Sequence, residues 1–189
     1  MKLSGLLCAC LLAIPGAVCA DNFNYDYLEL GYQQLRPRDG DSGKGPELLA
    51  AWTLPQLGVQ LLAGYTRFNL PATPTDITDK NTQFGIRGAT DFGDDTSFYT
   101  DILYLNHESN PLGFVIADSG YRLRLGLRQR LGTRFELDAS AAHNYLGESS
   151  NQARVGLLFN ITDWLAVGAS LTRDNLKNTT TGLAVRWYY

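Results

Sequence analysis

Residues 121–131 read Tyr121-Arg122-Leu123-Arg124-Leu125-Gly126-Leu127-Arg128-Gln129-Arg130-Leu131. Odd positions are apolar except Gln129. Even positions hold four arginines and a glycine. Successive residues of a strand point to opposite faces, so this segment is a strand with one apolar and one cationic face. The next segment, 135–146, alternates in step. Phe135, Leu137, Ala139 and Ala141 take one face, and Glu136, Asp138, Ser140 and Ala142 take the other. A turn at Gly132-Thr133-Arg134 sets Leu131 opposite Phe135, Arg130 opposite Glu136, Arg128 opposite Asp138 and Tyr121 opposite Tyr145. A slip of one residue would put charge against apolar groups on both faces, which fixes the register.

The pattern spreads outward from there. Val155, Leu157, Phe159 and Ile161 share a face with Leu165, Val167, Ala169 and Leu171 across Thr162-Asp163-Trp164. Ala50, Trp52 and Leu54 pair with Leu57, Val59 and Leu61 across Pro55-Gln56. Phe84 and Ile86 precede Phe98, Ile102 and Tyr104 across 93–97. That hairpin alternates least, because Tyr99, Leu103 and Leu105 put apolar groups on its other face. No segment of 21–189 keeps a helical period. Ten strands are expected, at 23–36, 47–54, 57–69, 81–92, 98–107, 119–131, 135–146, 152–161, 165–174 and 180–189. An eight-stranded arrangement results if 81–92 and 98–107 form an outer hairpin instead. Short links at 55–56, 93–97, 132–134 and 162–164 alternate strictly with longer polar ones such as 37–46 and 71–80.

The totals fit a single domain. The chain has 189 residues, of which 44% are hydrophobic, 19% charged and 11% aromatic, with a net charge of -3. No run is long and apolar enough for a spanning helix, which needs about 20 residues. The acidic balance argues against nucleic-acid binding. Residues 1–20 read as a signal peptide. Lys2 is followed by an apolar stretch from Leu3 to Ile14, and Val18-Cys19-Ala20 suits cleavage after Ala20. Acylation at Cys19 is the competing reading, but Val18 and Gly16 fit it poorly. Cleavage removes Cys8, Cys10 and Cys19, so residues 21–189 form a single cysteine-free domain with neither a disulfide nor a thiolate metal site.

Two features favour a membrane barrel over a soluble sandwich. The charged face is organised: Arg87, Asp101, Arg122, Arg124, Arg128, Arg130, Glu136, Asp138, Arg154 and Arg186 all fall on the non-apolar side. In a small closed barrel they form a lumen charge network. Arg124 stands out in it, because its partner on the next strand is Ala142. The alternation of short and long links is the second feature, together with aromatics near strand ends: Phe92, Phe98, Phe135 and Trp164 by the turns, and Tyr65, Tyr104, Tyr121 and Tyr145 on the loop side. The expected fold is therefore all-β, a transmembrane antiparallel up-and-down barrel of ten strands with both termini inside.

The last residues carry the most specific motif. Leu183, Val185, Trp187 and Tyr189 line one face, and the chain ends on an aromatic. This resembles the terminal signature of bacterial outer-membrane proteins that the barrel-assembly machinery recognises. The stretch Tyr25-Asp-Tyr27-Leu-Glu29-Leu-Gly31-Tyr32 resembles the first strand of small porin-like and OmpA-like barrels. The resemblance implies a monomer in the outer membrane of a Gram-negative cell envelope. Its partners would be outer-membrane lipids, the assembly machinery and an extracellular ligand met through the outer loops. The sequence stops with the barrel, so no peptidoglycan-binding domain is expected, a departure from full-length OmpA; no cofactor is expected either.

Signals for catalysis are weak. His107-Glu108-Ser109-Asn110 resembles the His-x-Ser-Asn of barrel-type lipid A deacylases and puts His107 and Ser109 on one face, as a base and nucleophile require. That face is the lumen, whereas those enzymes act on the lipid side. Gly40-Asp41-Ser42-Gly43 matches the nucleophile tetrapeptide of trypsin-like proteases without their framework. Omptin-type barrel proteases use paired aspartates on the outer side, and the doublet Asp94-Asp95 falls in a predicted inner turn. Neither His107 nor His143 has metal-site spacing. The sequence thus predicts a non-enzymatic barrel with a structural or surface-interaction role. A narrow anion-preferring channel and an outer-leaflet lipid-modifying enzyme are the alternatives.

Overall fold

A computed structural model describes residues 23–38, 41–71, 76–111 and 114–189. The signal-peptide segment 1–20, its cleavage after Ala20, and Gly40 lie outside the described residues. Ten antiparallel strands follow one another: β1 Tyr27–Arg36, β2 Gly43–Leu54, β3 Val59–Leu70, β4 Ile77–Asp91, β5 Thr96–Ser109, β6 Ile116–Leu131, β7 Phe135–Leu146, β8 Glu148–Thr162, β9 Leu165–Asp174 and β10 Thr179–Tyr188. Each pairs with its sequence neighbours, and β1 pairs with β10 to close the barrel. β4 and β5 are wall strands bonded to β3 and β6. The eight-stranded alternative is therefore excluded.

The β6–β7 register is the one charge and polarity dictate. Leu131 faces Phe135, Arg130 faces Glu136, Arg128 faces Asp138, Arg124 faces Ala142 and Tyr121 faces Tyr145. Gly132 holds the turn at φ +70, a conformation that side chains with a Cβ rarely take. The β2–β3 hairpin corrects the expected register. Its turn is Pro55–Gly58, so Trp52 faces Leu61 and Leu54 faces Val59. Leu57, expected to pair, sits in the turn, whose Gly58 has φ +59. The shift is two residues, so every side chain keeps its face.

Strict short-long alternation is also corrected. The links 37–42, 71–76 and 110–115 are the longer ones, but β7 and β8 are separated by Gly147 alone, and β9 and β10 by 175–178. β8 starts at Glu148, four residues before the expected start, and absorbs the loop that 147–151 would have formed. Asp94-Asp95 does lie in a turn, between β4 and β5.

The two faces of the wall differ sharply. Leu30, Phe84, Leu125, Val155, Leu171 and Leu183 are exposed on the outside, Leu125 at 58% and Leu183 at 69%. Soluble monomers rarely expose a continuous apolar belt of this kind, and in a barrel it is the surface that lipid covers. Aromatic pairs mark its edges. Trp52 with Tyr189, Phe92 with Phe98, and Phe135 with Phe159 lie toward the turns. Tyr121 stacks on Tyr145, and Phe84 tilts against Tyr104, toward the loops. The hairpin with apolar groups on both faces also has an explanation. Phe98, Ile102 and Tyr104 point out, while Tyr99, Leu103 and Leu105 are buried inside. A lumen this narrow fills partly with apolar side chains.

Candidate functional site: the barrel lumen

Carboxylates and arginines meet inside the barrel from different strands. Asp101, fully buried on β5, accepts from Arg87 Nε on β4 at 2.7 Å and from Arg87 Nη2 at 3.0 Å. Arg124 on β6 reaches the same carboxylate at 3.3 Å. Its partner is thus the residue directly opposite on β5, not one on β7. Arg128 Nε donates to Glu136 at 2.6 Å, leaning along the strand past Asp138, its opposite number. Asp138 instead accepts from the Tyr99 hydroxyl at 3.0 Å. Arg186 Nε donates to Glu29 at 2.7 Å across the β1–β10 seam. Arg122 bonds neutral groups, Asn144 at 2.5 Å and Gln83 at 3.0 Å. Arg154 is drawn by Glu47, Glu29 and Asp138.

Arg130 is the last inward residue before the turn; its guanidinium lies 5.1 Å over the buried Phe23 ring and 3.9 Å from Asp95 at the rim, where it stays partly exposed. Glu29, Glu47, Tyr99, Gln83 and Asn144 belong to the buried network without having been singled out in the sequence. Inward parity on their strands was the available signal.

Aromatic rings cover the guanidinium faces. Arg87 lies over Tyr99 at 4.1 Å, and Arg186 over Tyr27 at 4.1 Å. Such cation–π contacts contribute about 2 kcal/mol where water is excluded. Gly126 makes room for Tyr99, its cross-strand neighbour, because a Cβ there would lie 2.1 Å from the ring.

The segment before β1 folds into the turn-side mouth. Phe23 and Tyr25 are both buried. The Tyr25 hydroxyl lies 2.5 Å from Ser97 Oγ. Arg128 stacks over Tyr25 at 4.4 Å and over Phe23 at 4.9 Å, and its Nη1 donates to the Asn24 carbonyl at 3.4 Å. Asp26 ties the strap to the rim by accepting from the Thr53 amide, while its own carbonyl accepts from the Tyr189 amide at 3.3 Å. Burial pushes the Tyr25 phenol above its ordinary value, against the pull of Arg128 and Arg87. It therefore stays neutral at physiological pH and free to hydrogen-bond.

Above this packed half the lumen opens. Arg122, Arg124, Arg154 and Glu47 line a cavity of about 150 Å³ toward the loop end. A smaller space of about 50 Å³ lies among the packed groups, lined by Arg87, Arg128 and Arg186. His107 and Ser109 take inward register positions near the loop end of β5, opposite Asn81 and Asp79. Among the described residues no three His, Asp or Glu side chains gather as a metal site.

The closed antiparallel barrel superposes on solved outer-membrane barrels. The NanC porin superposes with a TM-score of 0.56 at 12% identity, over 86% of this chain and 100% of that one. The translocator domain of the autotransporter NalP from Neisseria meningitidis gives 0.53 at 12% identity, over 98% and 96%. This chain has the fold of a bacterial outer-membrane β-barrel. The KdgM porin gives 0.52 at 11% identity, over 85% of this chain and 99% of its own. At such identities the likeness is one of fold. No protein-family profile matches the chain, and no curated protein matches it in sequence.

Proposed function

We propose that this protein is a small outer-membrane barrel with a filled lumen, serving a structural or surface-interaction role rather than catalysis. The observation that carries this reading is the turn-side half of the interior. Arg87, Arg128 and Arg186 are each ion-paired there to a buried carboxylate, and Phe23 and Tyr25 close the mouth beneath them. The space left among these groups is about 50 Å³, room for a few waters, which supports a filled interior. Lipid covers the exterior, and the loop end is left for partners outside the cell. The barrel-assembly machinery meets the terminal strand, where Leu183, Trp187 and Tyr189 face outward.

A narrow anion-preferring channel is the competing reading. It requires the Phe23–Tyr25 strap to leave the mouth. Planar-bilayer recording separates the two. The refolded protein should give a silent trace, and the double variant Phe23→Ala, Tyr25→Ala should flicker. A steady ohmic conductance from the unaltered chain would overturn the filled-lumen reading.

A further inference from the structure

The loop-side cavity is more cationic than the groups around it can balance. Arg122, Arg124 and Arg154 line it against one carboxylate, Glu47. Arg124 has a second acid in Asp101, but that carboxylate already accepts two bonds from Arg87. Arg122 is held by two side-chain amides, which orient the guanidinium without neutralising it. Arg154 lines the cavity from β8 and is drawn to Glu47 on the same lining, with no ion pair to a carboxylate among the described residues. A guanidinium shielded from bulk water without a matched anion is costly. The turn-side half shows the contrast. Arg87, Arg128 and Arg186 there each have a carboxylate within 3 Å and a ring over the cation. The upper three lack that arrangement.

The rest of the lining suits an oxygen-rich ligand. Gln33, Asn81, Gln152 and Ser140 add neutral donors around the same space. At about 150 Å³ the cavity has room for one small oxyanion with a few waters. Arg122, Arg124 and Arg154 come from two separate walls, β6 and β8, and so can close on a ligand from more than one side. Planar forks from several directions match the geometry of a carboxylate or phosphate group.

We propose that this cavity is a receptor site for a single small oxyanion, a carboxylate or phosphate, held by Arg122, Arg124 and Arg154. The site is a cup closed below by the Arg87–Asp101–Arg124 cluster and approached from the loop end. Glu47 opposes the ligand and sets its affinity. The site stands whether or not the barrel conducts.

Isothermal titration of the refolded full chain in non-ionic detergent at low salt tests this. Inorganic phosphate is the probe in one arm and succinate in the other. One saturable site for either is expected, and the tighter arm identifies the class. Arg154→Gln and Arg122→Gln should each weaken binding about tenfold, as loss of one charge-assisted bond does. Arg130→Gln, at the opposite rim, should leave binding unchanged. Glu47→Gln should tighten it several-fold, because it removes the one carboxylate that opposes the ligand in the lining. Absence of saturable heat in both arms would overturn the proposal. So would equal affinity across the unaltered chain, Arg154→Gln and Glu47→Gln.

Discussion

Replacing Asp101 with Asn is the most informative single change. Asp101 is 0% exposed and anchors two arginines at once. The amide keeps the shape and removes the charge. Arg87 and Arg124 would then face each other inside the barrel without a counter-charge. Breaking a buried pair this way costs about 3–5 kcal/mol. Urea unfolding in lipid vesicles, followed by tryptophan fluorescence and by gel mobility without boiling, measures the loss. The triple variant Arg87→Met, Asp101→Leu, Arg124→Met removes all three charges and fills similar volume. It should lie within about 2 kcal/mol of the unaltered chain, because no buried charge remains to be solvated. A single variant within about 1 kcal/mol of the unaltered chain would refute the argument. So would a triple variant as unstable as the single one, since packing rather than charge would then explain the effect.

Leu125→Arg puts a charge on the lipid side of β6, beside the inward Arg124. It should destabilise the folded barrel by about 2–4 kcal/mol in vesicles, whereas Leu125→Phe should cost little. Gly126→Ala forces the Tyr99 ring away and with it the bond to Asp138. A loss of about 1–3 kcal/mol is expected, and Gly126→Ala combined with Tyr99→Leu should recover part of it.

Strand number, faces and the β6–β7 register were legible because parity survives every local error. The β2–β3 turn illustrates this. Leu57 continues the apolar alternation and hides two extra turn residues, yet a shift of two changes no face. Ion-pair partners were harder to read. Backbone register places Arg128 opposite Asp138, but a long side chain leans along its strand to Glu136. Arg124 was matched to β7, whereas its other neighbour on β5 supplied the carboxylate. Each strand has two neighbours, and both must be aligned before a lumen charge can be assigned. The strap at Phe23–Asp26 was least legible. Its alternation reads as a continuation of β1, and only the closed barrel creates the mouth that Phe23 and Tyr25 fill. The loop-side cavity depends likewise on how β2, β6 and β8 face one another across the interior.

Odd residues of 121–131 meet lipid while even ones meet the lumen, as do the even residues of β7 opposite them. Single cysteines test this in refolded residues 21–189, a span without native cysteine. An environment-sensitive fluorophore at Leu123, Leu125 or Leu127, or at the lumen positions Ser140 and Ala142, is challenged with nitroxide-labelled lipid. Quenching at the three leucines with sparing of Ser140 and Ala142 is the predicted result. Equal quenching at both sets, or quenching confined to Ser140 and Ala142, would contradict the account.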